Sequence, residues 1–356
     1  MTGPAAFHSN DVEGGLPLAD KVAFLQRPES YPERPIGVDA VQTHMSWVFL
    51  TDRHAYKLKK PVRTPVLDFS TVDARKADCE AEVRLNRRLA PNIYLDVVPL
   101  VMRDDGRLHL GGTGHQVDWL VQMVRLPTRL RLDEAIRTHG VHGSHAIRLG
   151  QVLARFYASA PRLDSDPERY RHGFAPEIDA NLQEVADRAP ALAALADAAA
   201  TAQRAGLAAH GGLLEERARS GRVVEAHGDL RPEHIFLDNE PIIIDCLEFN
   251  RGLRLLDPAD ELAYFGLECE RLGAPWIGDV VLDVYRTATA DAPPAPVLDF
   301  YRSFRAGLRA RLAARRLDEA DERRPHWLAR MRSYLILAVH YGERLSPPAL
   351  SRPAGR

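Results

Sequence analysis

The chain has 356 residues, 45% of them hydrophobic and 27% charged, with a formal net charge of −2. That is the composition of a soluble globular protein, and the near-neutral balance provides no global positive field to attract nucleic acid. The three cysteines, Cys79, Cys246 and Cys269, are too few and scattered for a disulfide framework or a zinc knuckle. No apolar run approaches the ~18 residues of a membrane span, and the N-terminus lacks a charged segment followed by an apolar core, so a cytoplasmic protein without a membrane anchor is expected. Oligomeric state is left open.

Residues 1–20, rich in Gly, Pro and Asp, read as a flexible N-terminus, and 347–356 as a flexible tail. From about 36 to 125 strand signals dominate. Ser46–Thr51 and Ala55–Leu58 flank an Asp52-Arg53 turn; Tyr94–Met102 and Arg107–Leu110 flank Asp104-Asp105-Gly106; Val117–Val124 follows. One helix interrupts them, from Val72 to Leu89, with Val83, Leu85 and Leu89 on its apolar stripe. Lysine occurs only five times, at positions 21, 57, 59, 60 and 76, so three of the five fall within Lys57–Lys60. Met123-Val124-Arg125-Leu126-Pro127 reads as a hinge, because proline interrupts the strand. Beyond it the composition shifts to Ala, Leu and Arg with helical periodicity, notably Ile147–Ser159, Ile178–Arg188, Leu192–Arg219 and Phe300–Arg316.

Within that helical region stands His227-Gly228-Asp229-Leu230-Arg231-Pro232-Glu233-His234. Two short apolar runs follow, Ile235-Phe236-Leu237 and Ile242-Ile243-Ile244, separated by the turn composition Asp238-Asn239-Glu240-Pro241 and ending on Asp245. A loop carrying one carboxylate and a hairpin carrying another suit in-line phosphoryl transfer, in which the protein mostly positions groups and neutralises charge. The octapeptide resembles the catalytic loop of eukaryotic-type protein kinases and, more closely, that of the aminoglycoside phosphotransferase family. Thr43-His44-Met45-Ser46-Trp47-Val48-Phe49-Leu50, Tyr56-Lys57-Leu58-Lys59-Lys60-Pro61-Val62 and Ile244-Asp245-Cys246-Leu247-Glu248-Phe249 resemble an uncharacterised bacterial branch of that family, in which the domain is sometimes fused to an ATPase domain. The resemblance implies an α+β, bilobal protein-kinase-like fold: a nucleotide-binding N-lobe of antiparallel β-strands with one helix (21–125), and a large, mainly α C-lobe (126–346) for catalysis and acceptor binding.

The resemblance also implies roles. Asp229 is the expected catalytic carboxylate, accepting a hydrogen bond from the acceptor hydroxyl, with His227 bracing the loop and Arg231 clamping phosphate oxygens through paired donors. Asp245 is the expected ligand of the ATP-bound metal. His234 takes the place where the family usually has Asn as second magnesium ligand. Imidazole suits softer metals than magnesium, which prefers oxygen, so a less ideal ligand, use of manganese, and a purely structural histidine all stay open. Lys57 shares a strand face with the small Ala55 by the period of two and is the expected partner of the α- and β-phosphates; Lys59 and Lys60 are weaker choices. Glu82 is its expected ion-pair partner on the resemblance, with Glu80 as competitor.

No glycine-rich phosphate loop occurs in Val38–Val48 and no G-x-x-x-x-G-K-[ST] anywhere, which removes a P-loop NTPase; Thr43 and Ser46 offer hydroxyl and amide donors instead. Glu248 is placed loosely near the metal or acceptor. Asp257 and Asp260 are expected to support the catalytic loop, and Tyr301, Arg305 and Arg309, on one helix face, to line the acceptor side. The expected activity is transfer of phosphate from ATP, with Mg2+ or Mn2+, to a hydroxyl of a small molecule; no nucleic acid or membrane partner is expected. A weakly active nucleotide-binding pseudokinase is the alternative. A metal-dependent phosphoesterase using His227, Asp229, His234 and Asp245 would leave Lys57 and Glu82 without purpose.

Overall fold

The structure is a computed structural model that describes residues 16–64, 67–318 and 321–345. The expected flexible tail at 347–356, and residues 1–15 of the expected flexible N-terminus, lie outside the described residues. The chain divides into two compact units. The first takes the residues up to Arg131 together with His234–Asp238 and Ile242–Leu253; the second takes Leu132–Glu233, Asn239–Pro241 and the chain from Arg254 onward.

The first unit opens with helix α1 (Leu18–Leu25), which corrects the expectation of a flexible chain for its first three residues. Strands β1 (Asp39–Gln42), β2 (Ser46–Leu50) and β3 (His54–Lys59), the short pair β4 (Arg63–Thr64) and β5 (Leu67–Asp68), helix α2 (Val72–Asn86), and strands β6 (Tyr94–Met102), β7 (Leu108–Leu110) and β8 (His115–Val124) follow. Six strands form one sheet in the order β1-β2-β3-β8-β6-β7, every neighbouring pair antiparallel, so the sheet-plus-helix architecture expected from the sequence is present.

Successive side chains of a strand point to opposite faces, and β3 uses both. Tyr56 and Leu58 join Val22, Leu25, Tyr31 and Phe49 in one core. Ala55 joins Cys79 and Val83 of α2 and Val121 and Met123 of β8 in the other. Lys57 and Lys59 therefore emerge on the α2 face. Asp118 of β8 secures both helices: its carboxylate accepts from Lys21 of α1 at 2.7 Å and from Arg75 of α2 at 2.8 and 2.9 Å.

The second unit contains α3 (Leu132–Arg137), α4 (Gly143–Ser159), α5 (Pro167–His172), α6 (Phe174–Arg188), α7 (Ala193–Arg219) and strand β9 (Val224–Glu225). The hairpin β10 (Ile235–Phe236) and β11 (Ile242–Ile243) belongs to the first unit, where the Leu237 amide donates to the Leu130 carbonyl at 2.7 Å. Strand β12 (Leu255–Leu256) then pairs with β9, and α8 (Pro258–Arg271), α9 (Pro275–Thr289), α10 (Ala295–Arg315) and α11 (Arg324–Glu343) complete the second unit.

Helix α8 is buried from Pro258 to Cys269. Gly266 lets α9 approach it, since a Cβ on Gly278 would sit 2.5 Å from the Gly266 Cα. His142 and His145 form the capping box of α4, an N-terminal device that satisfies otherwise unpaired amides. Among the described residues no helix is long and apolar enough to cross a membrane.

Candidate active site

The charged centre of the first unit assembles on the α2 face of β3. Thr71 caps α2, its hydroxyl accepting from the Ala74 amide at 3.1 Å; this fixes the helix start and so the direction of Asp78 and Glu82, one turn apart. Glu82 is almost wholly buried and accepts from two lysines, Lys57 Nζ at 2.8 Å and Lys59 Nζ at 2.6 Å, one on each oxygen. Lys57 Nζ also donates to Asp245 Oδ1 at 3.0 Å. Lys59, buried, additionally meets Asp78 at 2.6 Å and Glu248 at 2.5 Å. Glu80, the competitor for Lys57, instead lies 3.9 Å from Lys76 on the exposed side of α2.

The charges follow from this arrangement. Burial pulls the Lys57 amine down, but Asp245, Glu82 and Glu248 outweigh it and hold it well above its usual range. Burial of Glu82 is outweighed by Lys57 and Lys59, which hold its carboxyl below the usual value. Glu248 behaves oppositely: burial dominates, and despite Lys59 its carboxyl is pushed up to about 7. Four carboxylates, Asp78, Glu82, Asp245 and Glu248, thus face two ammonium groups.

Asp245 itself sits in a left-handed backbone conformation, φ 65°. Aspartate tolerates this region better than most residues, yet a non-glycine residue there still costs on the order of 1–3 kcal/mol. Two hydrogen bonds hold it. The Asp245 amide donates to the Tyr94 hydroxyl at 3.1 Å, and the Cys246 amide donates to Asn86 Oδ1 at 2.9 Å. The result is a half-exposed carboxylate whose Oδ2 lies 3.4 Å from His234 Nε2. Upstream, the Thr43 hydroxyl is engaged within its own turn, donating to the Ser46 carbonyl and accepting from the Ser46 amide, both at 3.0 Å; Ser46 is buried.

In the second unit the loop of Asp229 follows β9. Gly228 adopts φ 92°, open to glycine and strained for other residues. The buried Glu261 of α8 accepts from the His227 amide at 3.1 Å and the Gly228 amide at 2.5 Å, and from the Tyr157 hydroxyl at 2.8 Å. One helical turn on, the Tyr264 hydroxyl donates to Asp229 Oδ1 at 3.1 Å, while Arg231 donates to Asp229 Oδ2 at 3.0 Å. His227 braces the loop as expected of a structural histidine, its Nδ1 accepting from the Asp229 amide at 3.3 Å.

Several expectations on α8 and α10 change. The residue of α8 that carries the loop is Glu261. Asp257 caps the helix and pairs with Arg217, and Asp260 takes Arg305 through two hydrogen bonds of 2.7 and 2.6 Å. Tyr301 donates to Asp257 at 3.1 Å. Tyr301 and Arg305 are therefore buried framework, not acceptor lining; Arg309 alone of that trio remains partly exposed. Sequence reasoning also undervalued Lys59 and missed Asp78, Asn86 and Tyr94. Among the described residues no group of three or more His, Cys, Asp and Glu that could hold a metal ion is present.

No known family model matches the sequence. Uncharacterized proteins of Mycobacterium tuberculosis and Mycobacterium bovis are 31% identical over 317 residues, 85% of this chain; the chain spans 59% of the length of these curated relatives. Among solved structures, the choline kinase of Cryptosporidium parvum Iowa II is similar with a TM-score of 0.53, over 92% of this chain and 95% of that one, at 10% identity. A spectinomycin phosphotransferase solved with ADP and spectinomycin gives a TM-score of 0.49 at 11% identity, over 87% of this chain and 93% of that one. The structural neighbours are thus aminoglycoside phosphotransferase and choline/ethanolamine kinase family members. The likeness to the choline kinase fixes the architecture: this chain has a kinase-like fold, as the resemblance of its His227–His234 motif implied.

Proposed function

We propose that the protein is an ATP-dependent phosphotransferase that moves the γ-phosphate to a hydroxyl of a small molecule. The observation that carries this reading is Lys57, held between Glu82 at 2.8 Å and Asp245 at 3.0 Å. A lysine kept charged by a helix carboxylate and set beside a half-exposed aspartate is what nucleotide phosphates and their metal require. A purely structural ion pair gains little from this placement.

Lys57 would bind the α- and β-phosphates, Glu82 and Lys59 fixing its position from behind. Thr43 and Ser46, whose amides and Thr43 hydroxyl are committed to their own turn, would shape the loop facing the phosphates without donating to them directly. Asp245 would supply an oxygen ligand suited to Mg2+, with His234 beside it as a candidate second ligand. The bound metal would neutralise charge on the β- and γ-phosphates. Asp229, oriented by Tyr264 and Arg231, would accept the proton of the attacking hydroxyl. The new bond joins that oxygen to the γ-phosphorus while the β–γ bridging P–O bond breaks, its electron pair leaving with ADP. Arg231 would release one donor to the transferring phosphate.

One observation favours a second reading. The His234 nitrogen lies 3.4 Å from Asp245 Oδ2, where magnesium would prefer oxygen, so a nucleotide-binding pseudokinase with slight turnover is the alternative. The three cysteines, Cys79, Cys246 and Cys269, are buried, and their scatter along the chain supports a reducing compartment, the cytoplasm. The test is transfer of labelled γ-phosphate to a panel of hydroxylated small molecules. Asp229→Asn should lower turnover by about 10²–10⁴-fold while leaving nucleotide binding intact; an unchanged rate would remove Asp229 from the chemistry.

A further inference from the structure

Beside Asp229, within the second unit, α8, α10 and α11 build a cluster whose helix-borne arginines the proposed reaction leaves unused. Three guanidinium groups surround the buried Tyr334 ring: Arg271 at 5.6 Å from its centroid, Arg309 at 5.8 Å and Arg330 at 5.9 Å. The Tyr334 hydroxyl donates to Glu268 at 2.6 Å and Arg271 donates to the same carboxylate at 3.0 Å. Arg231 of the catalytic loop forms the fourth member through Asp229.

Four arginines stand with three carboxylates, Asp229, Glu233 and Glu268, in this cluster. Three of its ion pairs are also long. Arg271 and Arg330 stand 3.8 and 4.0 Å from Glu233, and Arg309 Nε stands 3.6 Å from Glu268, all beyond hydrogen-bonding reach. Arg309 Nε is buried and has no hydrogen-bond partner among the described residues. Burial opposes the charge of Arg309, but Tyr264, Tyr334, Asp229 and Glu268 keep it protonated, which ties this side chain electrostatically to the catalytic loop.

A buried guanidinium nitrogen without a partner is costly unless a ligand completes it, and planar arginine donors match the oxygens of carboxylate and phosphate. We propose that the acceptor is an anionic hydroxyl compound whose carboxylate or phosphate docks on Arg309, Arg330 and Arg271 while its hydroxyl faces Asp229. This rests on the phosphotransferase reading for the hydroxyl, but the anion site stands on its own. A cationic acceptor such as an amino alcohol would meet a repulsive surface.

The test compares glycerol, ethanolamine, glycerate and glycerol 3-phosphate, with inorganic phosphate as a minimal anion, by calorimetry and by ADP formation on the full chain with Mg-ATP. Anions should bind saturably and ethanolamine should not. Arg330→Gln should weaken anion binding at least ten-fold without altering affinity for an ATP analogue, and Arg330→Lys should weaken it less; thermal melts identify a variant that fails to fold, and Arg330→Lys then carries the comparison. Glycerate above glycerol 3-phosphate would mark a carboxylate acceptor, the reverse a phosphorylated one. Preference for glycerol or ethanolamine overturns the proposal and spares the phosphotransferase. Anion binding that is absent, or insensitive to Arg330, overturns it even if ATP binds. Anion binding that is sensitive to Arg330, without any ATP binding, keeps the anion site and removes the phosphotransferase.

Discussion

Lys59→Met should destabilise the protein strongly, and increasingly as pH rises. Lys59 Nζ meets Asp78, Glu82 and Glu248 at 2.5–2.6 Å with its side chain almost fully buried. Removing one member of such a buried set leaves uncompensated charge, at a cost of about 3–5 kcal/mol. Glu248 sets the pH dependence. Its folded carboxyl titrates near 7 rather than the ordinary 4.5, so between those values the folded state holds a proton that the unfolded state has lost. Stability therefore falls as pH rises through this window, by roughly 3 kcal/mol in all at about 1.4 kcal/mol per pH unit. Without Lys59 the carboxyl loses its largest favourable partner and titrates higher, extending the decline above pH 7. The loss should thus be smaller at pH 5.5, where a proton relieves the repulsion, and larger at pH 8. Urea unfolding followed by tryptophan fluorescence reads this out, since Trp47 and Trp119 lie in the first unit. A loss below ~1 kcal/mol at pH 8, or one that shrinks as pH rises, would refute the reasoning.

Three further outcomes are expected. Glu261→Gln turns one of its two acceptor oxygens into a donor opposite a backbone amide, so it should cost about 1–3 kcal/mol; hydrogen exchange at His227 and Gly228 should accelerate, and unchanged protection would show that the loop is held elsewhere. His234→Asn supplies an oxygen for magnesium. If the natural metal site is compromised, this variant should turn over faster with Mg2+, whereas a slower variant would make His234 a working group. Gly228→Ala, at φ 92°, should destabilise the loop by about 1–2 kcal/mol and depress turnover more than ATP affinity; equal loss of both would place its effect beyond the loop.

The sheet unit was largely legible because its signals are local. Alternation marks β3 and β8, and Asp104-Asp105-Gly106 lies between β6 and β7. Helices α8 and α11 were not. From Pro258 to Cys269 α8 is buried all round, so no apolar stripe distinguishes its inner face. In α11 arginines lie over aromatic rings, Arg330 over both Trp327 and Tyr334, which erases the usual separation of charged and apolar faces. Lys57 and Glu82 could be singled out from periodicity and resemblance, and they do meet. That Lys59 shares Glu82 and also reaches Glu248 could not, because nothing local in the sequence reports a contact 189 residues away. Glu261 had a usable signal: Asp257-Pro258 is a strong helix start, and the loop's ligand lies one turn after it.

The most direct test of the account is calorimetric binding of a non-hydrolysable ATP analogue, with Mg2+ and then Mn2+, to the natural protein and to Asp245→Ala. The account predicts metal-dependent binding to the natural protein that the variant loses. Absence of nucleotide binding with either metal, or equal binding by Asp245→Ala, would contradict it.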